Sequence, residues 1–238
     1  MGSMENKSIT EAIILAGGFG TRLQSVVSDR PKALVEVSGR PFIEYQLEWL
    51  IQQGIRNVTL AVHYMAEQLQ VFTEQWDNKN INLSAVYEQE PLGTGGALVN
   101  VMRQNKTTGN VLVINGDTLF KFEIEPAQNL FENNAGSVVL IASEMRDVSR
   151  FGTITIKNSF VCSFQQATGK IKSGIVSSGA YIMDSSLFMD KELKPFSLEY
   201  DLFPELANKR KLLAYVVDPD KGFLDMGTPD SYKEICAQ

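Results

Sequence analysis

Hydrophobic and polar positions along the first part of the chain alternate between short apolar runs and amphipathic stretches. The apolar runs predict strands at Ala12–Leu15, Asn57–Val62, Leu83–Tyr87, Val111–Asn115 and Ser137–Ala142. Apolar residues at helical spacing predict helices at Pro41–Gln53, Met65–Trp76, Gly96–Arg103 and Pro126–Asn133. This alternation predicts an α/β fold of the Rossmann-like type, a mostly parallel sheet with helices on both faces.

The pattern becomes richer in strands after Asp147 and predicts a small β-rich region. The polar pair Asn158-Ser159 between two short apolar runs is typical of a hairpin turn. Further expected elements are hairpin strands at Thr153–Lys157 and Val161–Phe164, a strand at Ile175–Met183, and helices at Glu199–Ala207 and Thr228–Ile235. The last helix begins with Thr228 as the N-cap residue and Pro229 at its first position.

The composition of the chain indicates which partners it can bind and in which compartment it is found. The chain has 238 residues and a net charge of -6, which disfavours general binding to nucleic acid backbones. Its apolar runs are shorter than the roughly 20 residues that span a bilayer, so we expect neither membrane insertion nor nucleic acid binding. The two cysteines, Cys162 and Cys236, lie outside paired motifs and indicate reduced thiols in a cytoplasmic protein. Residues 1–3 have the character of an expression scar before Met4.

A glycine-rich loop follows the first predicted strand and has the composition of an anion site. Its sequence is Leu15-Ala16-Gly17-Gly18-Phe19-Gly20-Thr21-Arg22-Leu23. Glycines let backbone amides approach phosphate oxygens, and Arg22 adds a charged, forked donor. A dinucleotide fingerprint fails because Leu23 stands at its third glycine position, and a P-loop fails because no Gly-Lys-Ser/Thr follows. A plain tight turn explains the glycines without explaining Arg22.

Lys32, in Pro31-Lys32-Ala33-Leu34, adds a mobile cation close behind this loop. The two segments together resemble the signature of the sugar-1-phosphate nucleotidyltransferases, and the resemblance covers nearly the whole chain. Its further marks are Glu90-Pro91-Leu92-Gly93-Thr94-Gly95-Gly96, Asn115-Gly116-Asp117, Phe151-Gly152 and Asp225-Met226-Gly227-Thr228-Pro229. It implies a single domain over residues 4–238, with a nucleotide-binding half to about residue 145 and a sugar-binding half after it.

The resemblance also implies which residues hold the nucleotide. The amides of Gly17, Gly18 and Gly20 and the side chain of Arg22 would hold the triphosphate, and Lys32 would steady the α-phosphate as it is attacked. Further residues expected at the nucleotide are Leu15, Ala16, Thr21, Gly93 and Thr94. For the metal, the resemblance pairs Asp117 and Asp225, each at the end of a short apolar run, on one Mg²⁺ ion.

Glu88 bears on the choice of base. An ionised glutamate only accepts hydrogen bonds, and guanine presents two adjacent donors on its pairing edge, so Glu88 favours GTP. Relatives that bind thymine or uracil usually have glutamine at this position. The alternative is that Glu88 lies on the surface while Gln89 or Glu90 faces the base, with Gly93 letting the base approach the backbone.

The acceptor side departs from the family pattern at one place. Resemblance implies Gly152 as a backbone contact and Glu199 as an acceptor for sugar hydroxyls, with Asn115 and Ser178 as neighbours. Many relatives place a lysine near the sugar phosphate, within Glu-Lys-Pro, where this chain has Gln165-Gln166-Ala167. We expect a substitute, and the candidates are Lys170, Lys172 and Arg150.

Among subfamilies, Pro91-Leu92-Gly93-Thr94-Gly95-Gly96-Ala97-Leu98 and the short length resemble the D-glycero-D-manno-heptose 1-phosphate guanylyltransferases. The implied reaction joins GMP from GTP to the sugar 1-phosphate, for capsule or surface-glycan synthesis. Alternatives are mannose 1-phosphate as acceptor, and CTP, UTP or dTTP as donor. A different class, a non-catalytic regulatory subunit on the same fold, stays open because of the missing lysine.

Overall fold

The computed structural model describes residues 8–20, 23, 27–134, 138–167, 169–170, 172–218 and 223–236, without the side chains of residues 223–225, 234 and 236. The strands are β1 (Glu11–Leu15), β2 (Glu36–Val37), β3 (Arg40–Pro41), β4 (Asn57–Val62), β5 (Asn82–Tyr87), β6 (Asn110–Asn115), β7 (Thr118–Phe120), β8 (Val138–Met145), β9 (Thr153–Lys157), β10 (Phe160–Gln165), β11 (Gly174–Asp184), β12 (Leu212–Val217) and β13 (Phe223–Asp225).

The α-helices are α1 (Phe42–Gln52), α2 (Ala66–Gln75), α3 (Gly93–Asn105), α4 (Ile124–Glu132), α5 (Ser186–Met189), α6 (Phe203–Asn208) and α7 (Pro229–Cys236). A 3₁₀ turn spans Lys32–Leu34 and a π-helical segment spans Leu198–Leu202. Within the described ranges, no helix is both long and apolar enough to cross a membrane.

The main sheet has nine strands in the order β5-β4-β1-β6-β11-β8-β12-β10-β9. The first four of these are parallel, so the predicted α/β arrangement is confirmed for the first half of the chain. Leu15, the last residue of β1, pairs with Ala61 of β4 and Asn115 of β6. The carboxyl ends of these strands therefore meet at one edge of the sheet, where open α/β sheets bind ligands.

The second half makes the sheet mixed. Strand β11 runs antiparallel to both of its neighbours, β6 and β8, whereas β12 runs parallel to β8. The predicted hairpin is present as β9 and β10, and its turn residues Asn158 and Ser159 both have positive φ, as a type I′ turn requires. β9 also pairs with the start of β11, which joins the hairpin to the central strands of the sheet.

Apolar side chains form two core clusters, one on each face of the sheet. Successive residues on a strand point to opposite faces, so Ile13 belongs to one cluster and Ile14 to the other. Leu213 and Ala214 of β12 are divided in the same way. Both clusters thus contain residues from both halves of the chain, so the two halves share one core on each face of the sheet.

The predicted helix at Glu199–Ala207 is present, but its first part is the π-helical segment Leu198–Leu202, which leads directly into α6. The Ser197 hydroxyl accepts hydrogen bonds from the backbone N–H groups of Glu199 and Tyr200, and the chain then forms the π-helical segment before α6 begins. Short π-helical segments are rare and often lie at functional sites. This segment carries Glu199, one of the predicted sugar-binding residues.

Candidate active site

A cleft of about 360 Å³ opens at the carboxyl ends of the parallel strands. Its lining includes ten of the residues predicted from the sequence: Leu15, Ala16, Gly17, Gly18, Lys32, Glu88, Gly93, Thr94, Asn115 and Asp117. We call it the nucleotide cleft. Thr21 and Arg22, also predicted to bind the nucleotide, lie outside the described residues, so their roles stay predictions.

Gly20 and the stem of Lys32 lie close together, so the structure brings the two sequence segments into contact. Gly20 has a φ of +63°, a value that favours glycine, and a Cβ built on it would lie 3.0 Å from Cγ of Lys32. Gly20 is not among the described residues that line the nucleotide cleft. Its observed role is to let the lysine stem pass close to the loop, while its predicted amide contact with phosphate stays a prediction.

Lys32 and Asp117 form an ion pair between the two predicted functional regions. Nζ of Lys32 lies 2.9 Å from Oδ2 of Asp117, and the two side chains are 21% and 30% exposed. The pair is thus partly shielded from water but still accessible to a ligand. Because each charge already has a partner of opposite sign, neither is left uncompensated in the ligand-free cleft.

The backbone segments that carry the two predicted metal ligands, Asp117 and Asp225, lie side by side in the structure. β13 pairs antiparallel with β7, so that Asp225 lies opposite Thr118. The N–H of Met226 also donates to the carbonyl oxygen of Asp117 at 2.9 Å. The side chain of Asp225 is outside the described part of the chain, and its predicted metal contact therefore stays a prediction.

Glu88 lies in the wall of the nucleotide cleft, whereas its neighbours Gln89 and Glu90 are exposed. The N–H of Leu92 donates to Oε2 of Glu88 at 2.9 Å, which closes the loop before α3. Oε1 lies on the side of the glycine-rich loop, 3.5 Å from a Cβ built on Gly17. Burial raises the pKa of the Glu88 carboxyl, and the Leu92 N–H opposes this effect.

His63 supports this part of the cleft. Its Nδ1 lies 3.1 Å from the carbonyl oxygen of Glu88, and its ring meets Phe19 edge-on with the ring centroids 5.6 Å apart. A Cβ on Gly17 would lie 3.3 Å from Cβ of His63. The histidine therefore packs behind the glycine-rich loop and connects it to Glu88.

A second cavity, of about 770 Å³, adjoins the nucleotide cleft on the side of the β9–β10 hairpin. We call it the acceptor cavity. The predicted sugar-binding residues Asn115, Gly152, Ser178 and Glu199 all line it. Three residues, Lys32, Asn115 and Asp117, line both spaces, so the two cavities meet at the Lys32–Asp117 pair.

Glu199 is held in the acceptor cavity by neutral hydroxyl groups. Its Oε2 accepts hydrogen bonds from Thr94 at 2.7 Å and Ser197 at 2.8 Å, and its Oε1 accepts one from the Tyr181 hydroxyl at 3.4 Å. Burial raises the pKa of Tyr181 well above its usual range, so the phenol keeps its proton and remains a donor. Thr94, predicted to contact the nucleotide, thus uses its hydroxyl to position a residue of the other cavity.

The remaining acceptor residues differ in what they can offer a ligand. The Ser178 hydroxyl donates to the carbonyl oxygen of Ile141 at 2.9 Å, so it is engaged within the sheet. The Asn115 Oδ1 is buried and has no hydrogen-bond partner within the described structure, which leaves an acceptor at the junction of the cavities. Gly152 is exposed at the cavity wall.

Gln46 is a site residue that the sequence reasoning missed. It is fully buried on α1, and its Nε2 donates to the carbonyl oxygens of Asn115 at 2.8 Å and Thr118 at 2.6 Å. These two carbonyls flank Asp117 in the chain. Gln46 therefore fixes the turn that carries the carboxylate of the central ion pair.

The glycines at the start of α3 permit a close approach of the segment 194–196, which precedes the Glu199 turn. A Cβ on Gly93 would lie 2.7 Å from the carbonyl oxygen of Phe196, and one on Gly96 would lie 2.6 Å from that of Lys194. Gly93 also has a φ of +67°. These glycines are required by the close packing of α3 against the backbone of residues 194–196, which is a different reason from the predicted approach of a base.

We expect Gly96→Ala to lower the free energy of unfolding by about 1–3 kcal/mol, because the added Cβ meets a backbone oxygen. Alanine inside a helix is normally more favourable than glycine by roughly 0.5–1 kcal/mol. A decrease in the free energy of unfolding would therefore indicate the predicted steric contact. Urea denaturation measures it. Gly18→Ala is the matched control, since a Cβ there has nothing within 4 Å. A Gly96→Ala protein as stable as the parent would contradict the packing argument.

Residues 11–238 match the model of the family described as Nucleotidyl transferase. The chain is 35% identical over 229 residues to D-glycero-alpha-D-manno-heptose 1-phosphate guanylyltransferase of Aneurinibacillus thermoaerophilus, covering 94% of this chain and 96% of that protein. A protein of the same name from Campylobacter jejuni is 35% identical, covering 93% and 96%. The crystal structure of HddC from Yersinia pseudotuberculosis complexed with GMP-PN is similar with a TM-score of 0.81 and 33% identity, covering 96% of this chain and 99% of that chain.

Proposed function

The chain belongs to the nucleotidyl transferase family, and on that premise we propose that it transfers GMP from GTP to D-glycero-α-D-manno-heptose 1-phosphate. The observation that carries this proposal is the meeting of two cavities at Lys32 and Asp117. A transfer between two substrates needs both reacting phosphates at one point, in line and with their charge neutralised. The names of the similar proteins support a guanine nucleotide and a heptose phosphate as the pair.

In the proposed reaction, an oxygen of the sugar phosphate attacks the α-phosphorus of GTP. The new bond joins that oxygen to the α-phosphorus, while the bond from the α-phosphorus to the bridging oxygen breaks and pyrophosphate leaves with the electron pair. The attacking phosphate is already ionised, so no general base is needed. Lys32 would neutralise the oxygens of the α-phosphate as charge develops on them.

The base and the sugar are assigned to carboxylates held in place by the fold. Glu88 would accept hydrogen bonds from the two adjacent N–H donors of guanine through the oxygen on the side of the glycine-rich loop. Glu199 would accept hydrogen bonds from sugar hydroxyls, because three neutral hydroxyl donors already orient it in the acceptor cavity. Both roles use oxygens as acceptors, which matches the hydroxyl-rich and N–H-rich edges of the ligands.

Asp117 and the backbone position of Asp225 support a Mg²⁺ ion as the metal of the proposed reaction. Asp117 lies at the meeting point of the cavities, and the backbone of Asp225 is brought beside it by the β7–β13 pairing. Groups of three or more metal-ligating side chains are absent from the described residues, and Mg²⁺ commonly takes only one or two carboxylates together with substrate phosphates and water. We assign Mg²⁺ to these two aspartates, where it would neutralise phosphate charge.

A crossed panel of nucleotides and sugars tests the proposal. The donors are GTP, CTP, UTP and dTTP, and the acceptors are heptose, mannose and glucose 1-phosphates, with released pyrophosphate as the readout. We expect the largest kcat/KM for GTP with the heptose phosphate, abolished by EDTA and restored by Mg²⁺. A maximum with mannose 1-phosphate or another nucleotide would correct the substrate, and binding of a sugar nucleotide without turnover in any pair would indicate a regulatory subunit instead.

A further inference from the structure

The charges that line the acceptor cavity are two cations and two carboxylates within the described residues, namely Lys32, Arg150, Asp117 and Glu199. Lys32 is engaged with Asp117 at 2.9 Å. Glu199 is surrounded by neutral hydroxyl donors. A sugar phosphate that enters this space brings further negative charge to a cavity that already holds two carboxylates, so it needs a cation that is not committed elsewhere.

Arg150 meets that need. It lies between β8 and β9, and its Nη1 donates to the Thr228 hydroxyl at 2.8 Å. Its guanidinium carbon lies 5.6 Å from the ring centroid of Phe151. In the described part of the chain, no carboxylate forms an ion pair with Arg150. A guanidinium has five N–H donors, so one bond to a neutral hydroxyl orients the group and leaves donors for an anion.

The two lysines considered from the sequence are less well placed. All three side chains are exposed, but only Arg150 is among the described residues that line the acceptor cavity, and Lys170 and Lys172 are not. Arg150 is also better suited than a lysine to bind a phosphate. The planar fork of a guanidinium can donate to two phosphate oxygens at once, whereas an ammonium acts as a point charge.

We propose that Arg150 binds the phosphate group of the acceptor sugar and holds it in the acceptor cavity for attack on the α-phosphorus of GTP beside Lys32. This inference rests on the proposed transfer to a sugar phosphate and names the residue that positions the nucleophile. Thr228, which precedes α7, orients the guanidinium by accepting one hydrogen bond through its neutral hydroxyl. Loss of Arg150 would therefore weaken the binding of the acceptor sugar phosphate and leave the nucleotide cleft intact.

The test is the steady-state kinetics of Arg150→Gln in the pyrophosphate assay, with the acceptor that the panel selects. We expect the KM for the sugar phosphate to rise about 10–100-fold, as for a lost hydrogen bond to a charged group, and the KM for GTP to change less than about twofold. Arg150→Lys should recover part of the loss. Inhibition by the unphosphorylated sugar should be the same in Arg150→Gln and the parent, because the lost contact is to the phosphate.

Arg146→Gln is the matched control, since it removes the same charge from an exposed arginine four residues earlier that is not among the described residues lining the cavity. Its KM for the sugar phosphate should stay that of the parent. An unchanged acceptor KM in Arg150→Gln, with normal turnover by the parent, would overturn the role of Arg150 alone. Absence of turnover by the parent with every pair would overturn the proposed function, and this role with it.

Discussion

Replacement of Lys32 by methionine is expected to lower kcat for pyrophosphate release by about 10²–10³-fold, the usual effect of removing one donor that stabilises charge in the transition state. Methionine keeps most of the volume of the lysine stem that packs against Gly20, and it removes the ammonium that lies 2.9 Å from Asp117. Because the charge on the α-phosphate increases during the transfer, kcat should fall much more than the affinity for GTP.

The matched control is Lys121→Met, which alters an exposed lysine directly after β7. It should retain the kcat of the parent. Thermal unfolding of both variants separates a loss of chemistry from a loss of folding. A Lys32→Met protein that is folded and turns over within about threefold of the parent would show that the central cation has no catalytic role.

Glu88→Gln is expected to reduce kcat/KM for GTP by about 100-fold, with a smaller loss or a gain for UTP and dTTP. A glutamine amide has only one acceptor oxygen, so it cannot accept both from the Leu92 N–H and from the N–H donors of guanine. Each hydrogen bond to a charged group contributes about 1.5–3 kcal/mol. Thymine and uracil present one N–H between two carbonyls, and an amide suits that edge better. The measurement is the ratio of kcat/KM values for the two kinds of nucleotide.

Protonation of Glu88 gives a second measurement of the same role. Burial raises the pKa of this carboxyl, so it takes up a proton at a higher pH than an ordinary glutamic acid does. As the pH falls through that raised pKa, the KM for GTP is expected to increase, and Glu88→Gln should lose this dependence. The control is Glu90→Gln, an exposed neighbour. Equal GTP preference in Glu88→Gln and the parent would assign the base to another residue.

Local patterns were sufficient to predict the parallel strands of the first half of the chain. Each parallel strand is a short apolar run, and the glycine-rich loop follows the first one directly, so the sequence order already places the loop at the ligand-binding edge. The mixed second half was less predictable. β11 reads as an apolar strand, but nothing in its own residues indicates that it inserts antiparallel between β6 and β8. That arrangement depends on pairing partners far away in the chain.

Gln46 was missed because its hydrogen-bond partners are distant in sequence. Gln46 lies 69 residues from Asn115, whose carbonyl it binds. A signal was present, because Gln46 falls between Phe42 and Leu50 on the apolar face of α1. A polar residue on such a face has to find a hydrogen-bond partner when it is buried. The hydroxyls that hold Glu199 carry no comparable signal.

The single hydroxyl of Thr94 has a consequence for how the two substrates affect each other. Thr94 lines the nucleotide cleft, yet its hydroxyl orients Glu199 in the acceptor cavity, so the partition between the two is one side chain thick at this point. In the proposed reaction, a nucleotide that shifts Thr94 would also change the affinity of the acceptor cavity for the sugar phosphate. By thermodynamic linkage the sugar must then change the affinity for the nucleotide by the same factor. On the proposed function the partition would couple the two substrates, and the order in which they arrive would not alter the free energy of the ternary complex.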